Sequence, residues 1–254
     1  MYNSKTKNLF HFFKQKPLLC DLIPDNHIDI HSHLLPGIDD GASTIEDTEN
    51  LIIGLENIGI KKFITTPHVM SDVWKNTTKQ IEDKKKDTLE QLDIPYIKER
   101  FKVAAEYMID AEFRELFKNE PLLTLKDNYV LVEMSYLSPP IQLYDILSEL
   151  KVAGYQAILA HPERYSFYHH SLNDYKKLKT AGCLFQLNML STTGYYGERV
   201  AKITDLLLEN GLIDFVGSDV HHYRHLEHMH KKKIVLKNDE YLHAIFQNNS
   251  FFDF

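Results

Sequence analysis

A single α/β domain built as a parallel barrel is the architecture this sequence predicts, and three observations predict it. Seven short runs rich in β-branched and aromatic residues alternate with stretches of helical pattern, the signature of parallel strands with helices packed outside them. The chain is 254 residues long, and about 250 is typical of a closed parallel barrel. No repeat, linker or low-complexity tract divides it.

The seven candidate strands are 27–31, 62–66, 101–105, 129–133, 155–160, 183–188 and 214–217. Between the first two, Ser43 and Glu46 have capping-box spacing, and Leu51, Ile52, Leu55 and Ile58 then recur on one helical face. A helix is expected over 45–57, with Gly59 near its end. The stretch 75–92 is rich in charge, with Ile81 and Leu89 among its few apolar positions, which predicts an exposed helix with a narrow buried stripe. Pro139 and Pro140 open a further helix through Ala153, 172–181 forms another, and 200–209 precedes the last strand with Gly211 as its stop. Residues 1–26 are read as an N-terminal extension to a domain spanning 27–254.

Lys and Arg number 29 against 36 Asp and Glu, a formal charge of −7 with histidines neutral. Affinity for a polyanion comes from many Lys and Arg side chains neutralising phosphates, so a nucleic-acid partner is not expected. A composition of 43% hydrophobic and 26% charged residues is that of an ordinary globular protein. Cys20 and Cys183 stand far apart and outside any CxxC pair, which argues against a disulfide framework or a thiolate metal site and for a reducing, cytoplasmic setting. Lys5, Lys7, Lys14 and Lys16 surround an apolar patch at 9–13 that is too short for a signal-peptide core. No run is long enough to span a bilayer, which leaves peripheral contact through the tail as the one membrane role open to the chain.

The informative pattern is where metal-capable side chains fall. The first strand runs into His31-Ser32-His33, whose i, i+2 spacing puts both imidazoles on one face of an extended chain. The second ends in Thr66-Pro67-His68, the third in Ala105-Glu106, the fourth in Glu133, the fifth in His161-Pro162-Glu163-Arg164 and the last in Ser218-Asp219-Val220-His221. Each alone reads as a hydrogen-bonded structural residue. Together they deliver imidazoles and carboxylates to the one barrel face where carboxyl ends of strands converge, and such carboxylates are expensive to bury without cations. The donors are nitrogen and oxygen, which suits Mn, Fe, Zn or Mg, and several carboxylates imply more than one ion. Closely spaced ions clamp the oxygens of a transferring phosphoryl group, and Arg164 adds a fork for phosphate oxygens.

These residues resemble the polymerase and histidinol phosphatase (PHP) superfamily over 29–221. Within it, the run from His31 to Ala42 (HSHLLPGIDDGA) with Thr66-Pro67-His68, Ala105-Glu106-Tyr107, His161-Pro162-Glu163-Arg164 and Ser218-Asp219-Val220-His221 is similar to the bacterial manganese-dependent protein tyrosine phosphatases that act with capsule and exopolysaccharide tyrosine kinases. The resemblance implies a distorted (β/α)7 barrel of PHP type over 27–254 and two or three metal ions. One ion would be held by His31, His33, Glu106 and Asp219, a second by Glu106, Glu133 and His161, and a third by Asp40, His68 and His221. A hydroxide bridging the ions would attack phosphorus on an autophosphorylated kinase tail, with Arg164 holding the phosphate and Asp40 at the reacting centre. The family usually places a second phosphate-binding arginine a few residues beyond the SDxH motif. Here the spacing differs, and Arg224 is the nearest candidate. The other imidazoles of that stretch, His222, His225, His228 and His230, are expected to be solvated.

Other readings keep the metal site and change the role: a phosphatase of a small phosphomonoester such as histidinol phosphate, a PHP nuclease, or a binding module without turnover. A cysteine-dependent tyrosine phosphatase is excluded, because the position six residues after the thiol, where the phosphate-binding arginine belongs, is Asn26 after Cys20 and Met189 after Cys183.

Overall fold

The computed structural model describes residues 15–237 and 239–254. The apolar patch at 9–13, with Lys5, Lys7 and Lys14, lies outside the described residues. Among the described residues nine strands form: β1 (His27–Asp29), β2 (Ile60–Thr65), β3 (His68–Val69), β4 (Phe101–Val103), β5 (Glu106–Met108), β6 (Tyr129–Glu133), β7 (Gln156–Ala160), β8 (Leu184–Asn188) and β9 (Phe215–Gly217). All pair in parallel, in a three-stranded sheet β1-β2-β4 and a six-stranded sheet β3-β5-β6-β7-β8-β9.

The expected strands at 62–66 and 101–105 are corrected by this arrangement. Each is followed, after a two-residue break, by a second short strand: Thr66 and Pro67 separate β2 from β3, and Ala104 and Ala105 separate β4 from β5. Proline has no N–H to give to a ladder, and the two chains cross the break together, with Ala104 N–H donating to Thr65 O (2.9 Å) and Glu106 N–H to Pro67 O (3.1 Å). Beyond the ends of β1 and β9 the chain continues side by side. Asp219 N–H donates to His31 O (2.7 Å) and His33 N–H to Val220 O (3.0 Å), around a parallel bridge between Ser32 and Val220.

Alternate strand residues point to opposite faces, and both faces are buried, as parallel sheets require. Ile28, Ile30, Ile64, Leu131, Ile158 and Phe215 form one cluster with Phe252. Phe63, Val130, Val132, Leu159 and Phe185 join the larger cluster beneath the helices.

Those helices are α1 (Ile45–Glu56), α2 (Thr78–Gln91), α3 (Ala111–Asn119), α4 (Leu143–Val152), α5 (Leu172–Thr180), α6 (Glu198–Glu209), α7 (Tyr223–Lys231) and α8 (Glu240–Asn248). The capping box of α1 lies one residue later than the Ser43/Glu46 spacing suggests: Thr44 Oγ1 accepts from Asp47 N–H (3.1 Å) while Asp47 Oδ2 accepts from Thr44 N–H (3.0 Å). α2 begins at its own box, Thr77 with Gln80, and buries Ile81 and Leu89. α4 starts after the two prolines rather than at them. Three helices, α3, α7 and α8, have no counterpart among the helices expected from periodicity. α3 is capped by Asp110, which accepts from Phe113 N–H (2.7 Å), and buries Phe113 and Phe117.

Part of the expected N-terminal extension packs on the domain. Residues 17–19 run antiparallel to the segment after α7, with Leu19 N–H donating to Lys232 O (3.0 Å) and Ile234 N–H to Pro17 O (3.1 Å), and Leu19 is fully buried.

Gly217, the last residue of β9, is fixed by space rather than by backbone conformation. A Cβ there would lie 2.6 Å from His31 Cβ and 2.7 Å from Gln186 Nε2. Gly217→Ala is expected to destabilise the protein by about 1–3 kcal/mol, read as a lower midpoint in urea denaturation. An unchanged midpoint would show that β1 and β8 have room to yield.

Candidate metal centre

Every metal-capable side chain singled out in the sequence sits at or beyond the carboxyl end of a strand, apart from Asp40, which lies in the loop entering α1, and His68 and Glu106, which open β3 and β5 just past the breaks. His31 and His33 follow β1, His68 opens β3, Glu133 ends β6, His161 follows β7, and Asp219 and His221 follow β9. His161 and Asp219 occupy the left-handed region, with φ of +37° and +50°. That conformation is uncommon away from glycine, and Asp, Asn and His are the side chains best tolerated there. Gly41 completes the first loop, since a Cβ at that position would meet His33 O at 2.3 Å.

Glu106 is fully buried and lies at the centre. Its Oε2 is 3.1 Å from His31 Nε2, 3.5 Å from His33 Nε2 and 3.2 Å from His68 Nδ1, and its Oε1 is 3.1 Å from His161 Nε2. Asp219 Oδ1 lies 3.3 Å and 3.4 Å from the same two Nε2 atoms of His31 and His33. His68 Nδ1 is 2.9 Å from Glu133 Oε1. At the exposed edge, Asp40 Oδ1 is 3.4 Å from His68 Nε2 and 3.5 Å from His221 Nε2. Four overlapping groups result, each with its ligand atoms within 4.8 Å of one another: His31, His33 and Asp219; His31, Glu106 and His161; His68, Glu106 and Glu133; and His33, Asp40, His68 and His221. The nine residues thus come together, with a grouping that differs in several respects from that implied by the family resemblance: Glu133 shares its group with His68, His161 shares its own with His31, His33 also joins Asp40, His68 and His221, and the His31, His33 and Asp219 group does not include Glu106.

The geometry fits cations. His31 Nδ1–H donates to Gln186 Oε1 (2.7 Å) and His33 Nδ1–H to Asp39 Oδ2 (2.8 Å). When neutral, both rings therefore present bare Nε2 atoms, 3.3 Å apart, beside Asp219 Oδ1 and Glu106 Oε2. Four acceptors converge with no donor among them, an arrangement that a metal ion satisfies. His68 Nδ1, Glu106 Oε2 and Glu133 Oε1 are likewise buried without a hydrogen-bond partner among the described residues, although His68 Nδ1 lies 3.2 Å and 2.9 Å from the two carboxylate oxygens. Burial alone would raise the pKa of Glu106, yet positive charge on His31 and His68 when those rings are protonated, the same charge a bound cation would supply, overturns this and holds it well below the ordinary carboxylate range. Burial and the neighbouring Glu106 charge push Glu133 the other way, to about 7. One protein-only site thus struggles to carry both negative charges.

Arg164 forms one wall. Its Nη1 donates to Asp219 Oδ2 (2.8 Å), which also accepts from Asn188 Nδ2 (2.7 Å), leaving Asp219 Oδ1 for the centre. Its guanidinium carbon lies 4.9 Å and 4.2 Å from the ring centroids of Tyr136 and Tyr196. The cleft over the centre measures about 390 Å³ and is bounded by Met70, Trp74, Met108, Tyr136, Leu137 and Arg164 in addition to side chains of the centre itself.

Residues 27–251 match the family model for capsular polysaccharide synthesis proteins, CpsB/CapC. The chain belongs to the CpsB/CapC family. It is 30% identical over 202 residues to the tyrosine-protein phosphatase YwqE of Bacillus subtilis, covering 78% of each chain. It is 27% identical to the tyrosine-protein phosphatase CpsB of Streptococcus pneumoniae over 207 residues, 76% of this chain and 82% of that one. Among solved structures it is similar to one from a study of Bacillus subtilis YwqE and Streptococcus pneumoniae CpsB, described as unique metal-dependent tyrosine phosphatases. The TM-score is 0.75 at 27% identity, over 89% of this chain and 94% of the other.

In this CpsB/CapC chain the structure does not bring Arg224 to the centre. It is exposed in the first turn of α7, and no hydrogen bond or ion pair joins it to the described residues. The expectation of solvated histidines around it is corrected in part. His222 is exposed, but His225 is buried against the Tyr195 ring, His228 Nε2 lies 2.9 Å from Thr193 Oγ1, and His230 Nε2 lies 3.3 Å from Gly54 O. Helix α7 buries His225 on one face together with Leu226 and Met229, with His228 and His230 half-buried on either flank.

Sequence reasoning missed the residues that orient the side chains of the centre. Asp39 was visible only as part of a motif, yet its Oδ2 accepts from His33 and from the His68 N–H (3.2 Å), and its Oδ1 from the Gly41 N–H (3.0 Å). Gln186 fixes His31. Asp29 joins the first and last strands by accepting from Ser218 N–H (2.9 Å) and Ser218 Oγ (2.5 Å), with burial pushing its pKa up to about 6. Partners that set an imidazole's tautomer commonly carry a 10–100-fold effect on metal affinity. Asp39→Asn is therefore expected to weaken Mn2+ binding about 10–100-fold in a calorimetric titration with the far-UV spectrum unchanged; affinity equal to the wild type would remove Asp39 from the centre.

Proposed function

We propose that this chain is a metal-dependent protein-tyrosine phosphatase acting on phosphotyrosine of a bacterial tyrosine kinase of capsule or exopolysaccharide synthesis. The observation that carries the reading is the convergence of bare imidazole nitrogens and buried carboxylate oxygens beside Arg164, at the floor of a cleft with aromatic and thioether walls. The family, and relatives named as tyrosine-protein phosphatases over most of their length, support it. The parallel pairings, together with the Ser32–Val220 bridge, support a distorted seven-stranded barrel of PHP type over 27–254, with 1–26 as an extension.

His31, His33, Asp219, Glu106, Glu133, His161, His68, Asp40 and His221 would hold two or three ions. Mn2+ is the proposed occupant, on a donor set of nitrogen and oxygen without sulfur. Bound there, the cations supply a water of lowered pKa and a positive clamp for phosphoryl oxygens. The chain's own contribution is to orient and to bind. Asp39, Gln186 and the Asp219 carbonyl, which accepts from His221 Nδ1–H (2.9 Å), fix the rings. Arg164 offers the donors it does not give to Asp219 to the phosphate. Met70, Trp74 and Leu137 face the cleft where the phenyl ring of the substrate would enter. The leaving phenolate, with a parent pKa of about 10, departs with less need of a proton donor than an alkoxide. Cys20 and Cys183 are both free thiols, which supports a cytoplasmic setting. No helix among the described residues is long and apolar enough to cross a membrane.

The test is phosphate release from a phosphotyrosine peptide with added Mn2+, set against a chelated aliquot and against histidinol phosphate at equal concentration. Chelator-sensitive turnover favouring the peptide is expected; preference for histidinol phosphate would overturn the substrate assignment. Arg164→Ala is expected to raise KM for the peptide roughly 10–100-fold, the scale of a lost charge-assisted hydrogen bond, with metal content unchanged. His33→Ala is expected to lose metal and turnover together, and full occupancy with unchanged turnover in that variant would refute His33 as a ligand.

A further inference from the structure

The loop after β8 carries Gly194-Tyr195-Tyr196-Gly197, and the loop after β6 carries Tyr136. Neither tyrosine at the cleft is needed to hold a metal, yet the chain brings both to Arg164. The guanidinium carbon lies 4.2 Å from the Tyr196 ring centroid and 4.9 Å from that of Tyr136, both within cation–π range. Each ring is itself tied down. Tyr196 Oη accepts from Asn188 Nδ2 (3.1 Å), the same amide that donates to Asp219 Oδ2 (2.7 Å). The Tyr136 ring stacks on the His161 imidazole, 5.8 Å between centroids at 24°, and packs against the Tyr165 ring at 5.6 Å.

Arg164 sits in a difficult place. It lies beside a centre built for cations, which repel it, and beside Asp219, a carboxylate able to take both ends of its fork. Yet the structure shows a single bond from Arg164 to Asp219, through Nη1, and Nε and Nη2 have no acceptor among the described residues. The aromatic faces supply attraction that neither repels metal nor consumes a donor.

We propose that Tyr136 and Tyr196 are positioning residues that hold the Arg164 guanidinium at the cleft wall with part of its donor edge free for the phosphate. This rests on the reading of Arg164 as the phosphate-binding side chain. The rings act on Arg164 through their faces, while the Tyr196 hydroxyl, held by Asn188 (3.1 Å), and the Tyr136 hydroxyl, 3.5 Å from His161 Nδ1, help only to keep the rings in place.

Orthophosphate binding to the Mn2+-loaded protein, measured by calorimetry, tests this without requiring turnover. A failure here is thus separable from a failure of the phosphatase reading. Tyr196→Ala and Tyr136→Leu are expected to weaken phosphate binding about five- to tenfold, with metal content retained, while Tyr196→Phe and Tyr136→Phe stay within about twofold of the wild type. With a phosphotyrosine peptide the same loss falls on KM rather than kcat. In an Arg164→Ala background the tyrosine substitutions are expected to add nothing, a coupling that a purely structural role would not produce. Tyr136 is 42% exposed, so its leucine variant keeps the test available if Tyr196→Ala does not fold. Wild-type phosphate affinity in the non-aromatic variants, equal loss in the phenylalanine variants, or undiminished loss in the Arg164→Ala background would each overturn the proposal.

Discussion

The carboxylate of Glu106 is the point on which the structure turns. It has no exposed surface, and four imidazoles from two separate strand ends and one strand start approach its two oxygens. A lone carboxylate in such a place would be protonated by the cost of burial. Here the surrounding rings keep it charged, and that charge in turn requires His31, His33, His68 and His161 to stay where the strands deliver them. The remaining layers serve this arrangement. Asp39 and Gln186 set the tautomers, Asn188 and Arg164 occupy one oxygen of Asp219, and Gly41 and Gly217 remove the side chains that would push the ligands apart.

Much of this was legible before any coordinates. Strand after strand ends in an imidazole or a carboxylate, and the i, i+2 rule alone places His31 and His33 together. The parallel α/β organisation followed from the same alternation. Positions 62–66 and 101–105 misled because an apolar run carries no mark of where a ladder pauses. Pro67 is such a mark, and Ala104-Ala105 is not. The helices α3 and α8 went unread although α5, also nine residues long, was legible. The supporting residues were harder still. Gln186 is 155 residues from the histidine it orients, and no local pattern announces such a pairing. Arg224 shows the converse: a position counted from a motif lies on the exposed side of a helix whose buried face the spacing did not reveal.

The aromatic side chains illustrate how one residue type answers different demands. Tyr165 is fully buried and its hydroxyl accepts from the Met134 N–H (3.0 Å), a core role with a polar tip satisfied. Tyr107 does the same for Leu123 N–H (2.8 Å). Tyr136 and Tyr196 instead present ring faces to a guanidinium. Composition counts all fourteen tyrosines alike; only their neighbours distinguish packing from electrostatics.

The left-handed backbone at His161 and Asp219 carries a consequence for mutational tolerance. The proposed coordination asks for an imidazole at one position and a carboxylate at the other, and the backbone independently admits few side chains besides glycine, histidine, asparagine and aspartate. Two filters of unrelated origin therefore select overlapping alphabets. A library randomised at these positions would lose β-branched residues to conformational strain before metal binding was ever assayed, so folded survivors should be enriched in Asn and Gly even where no metal is retained.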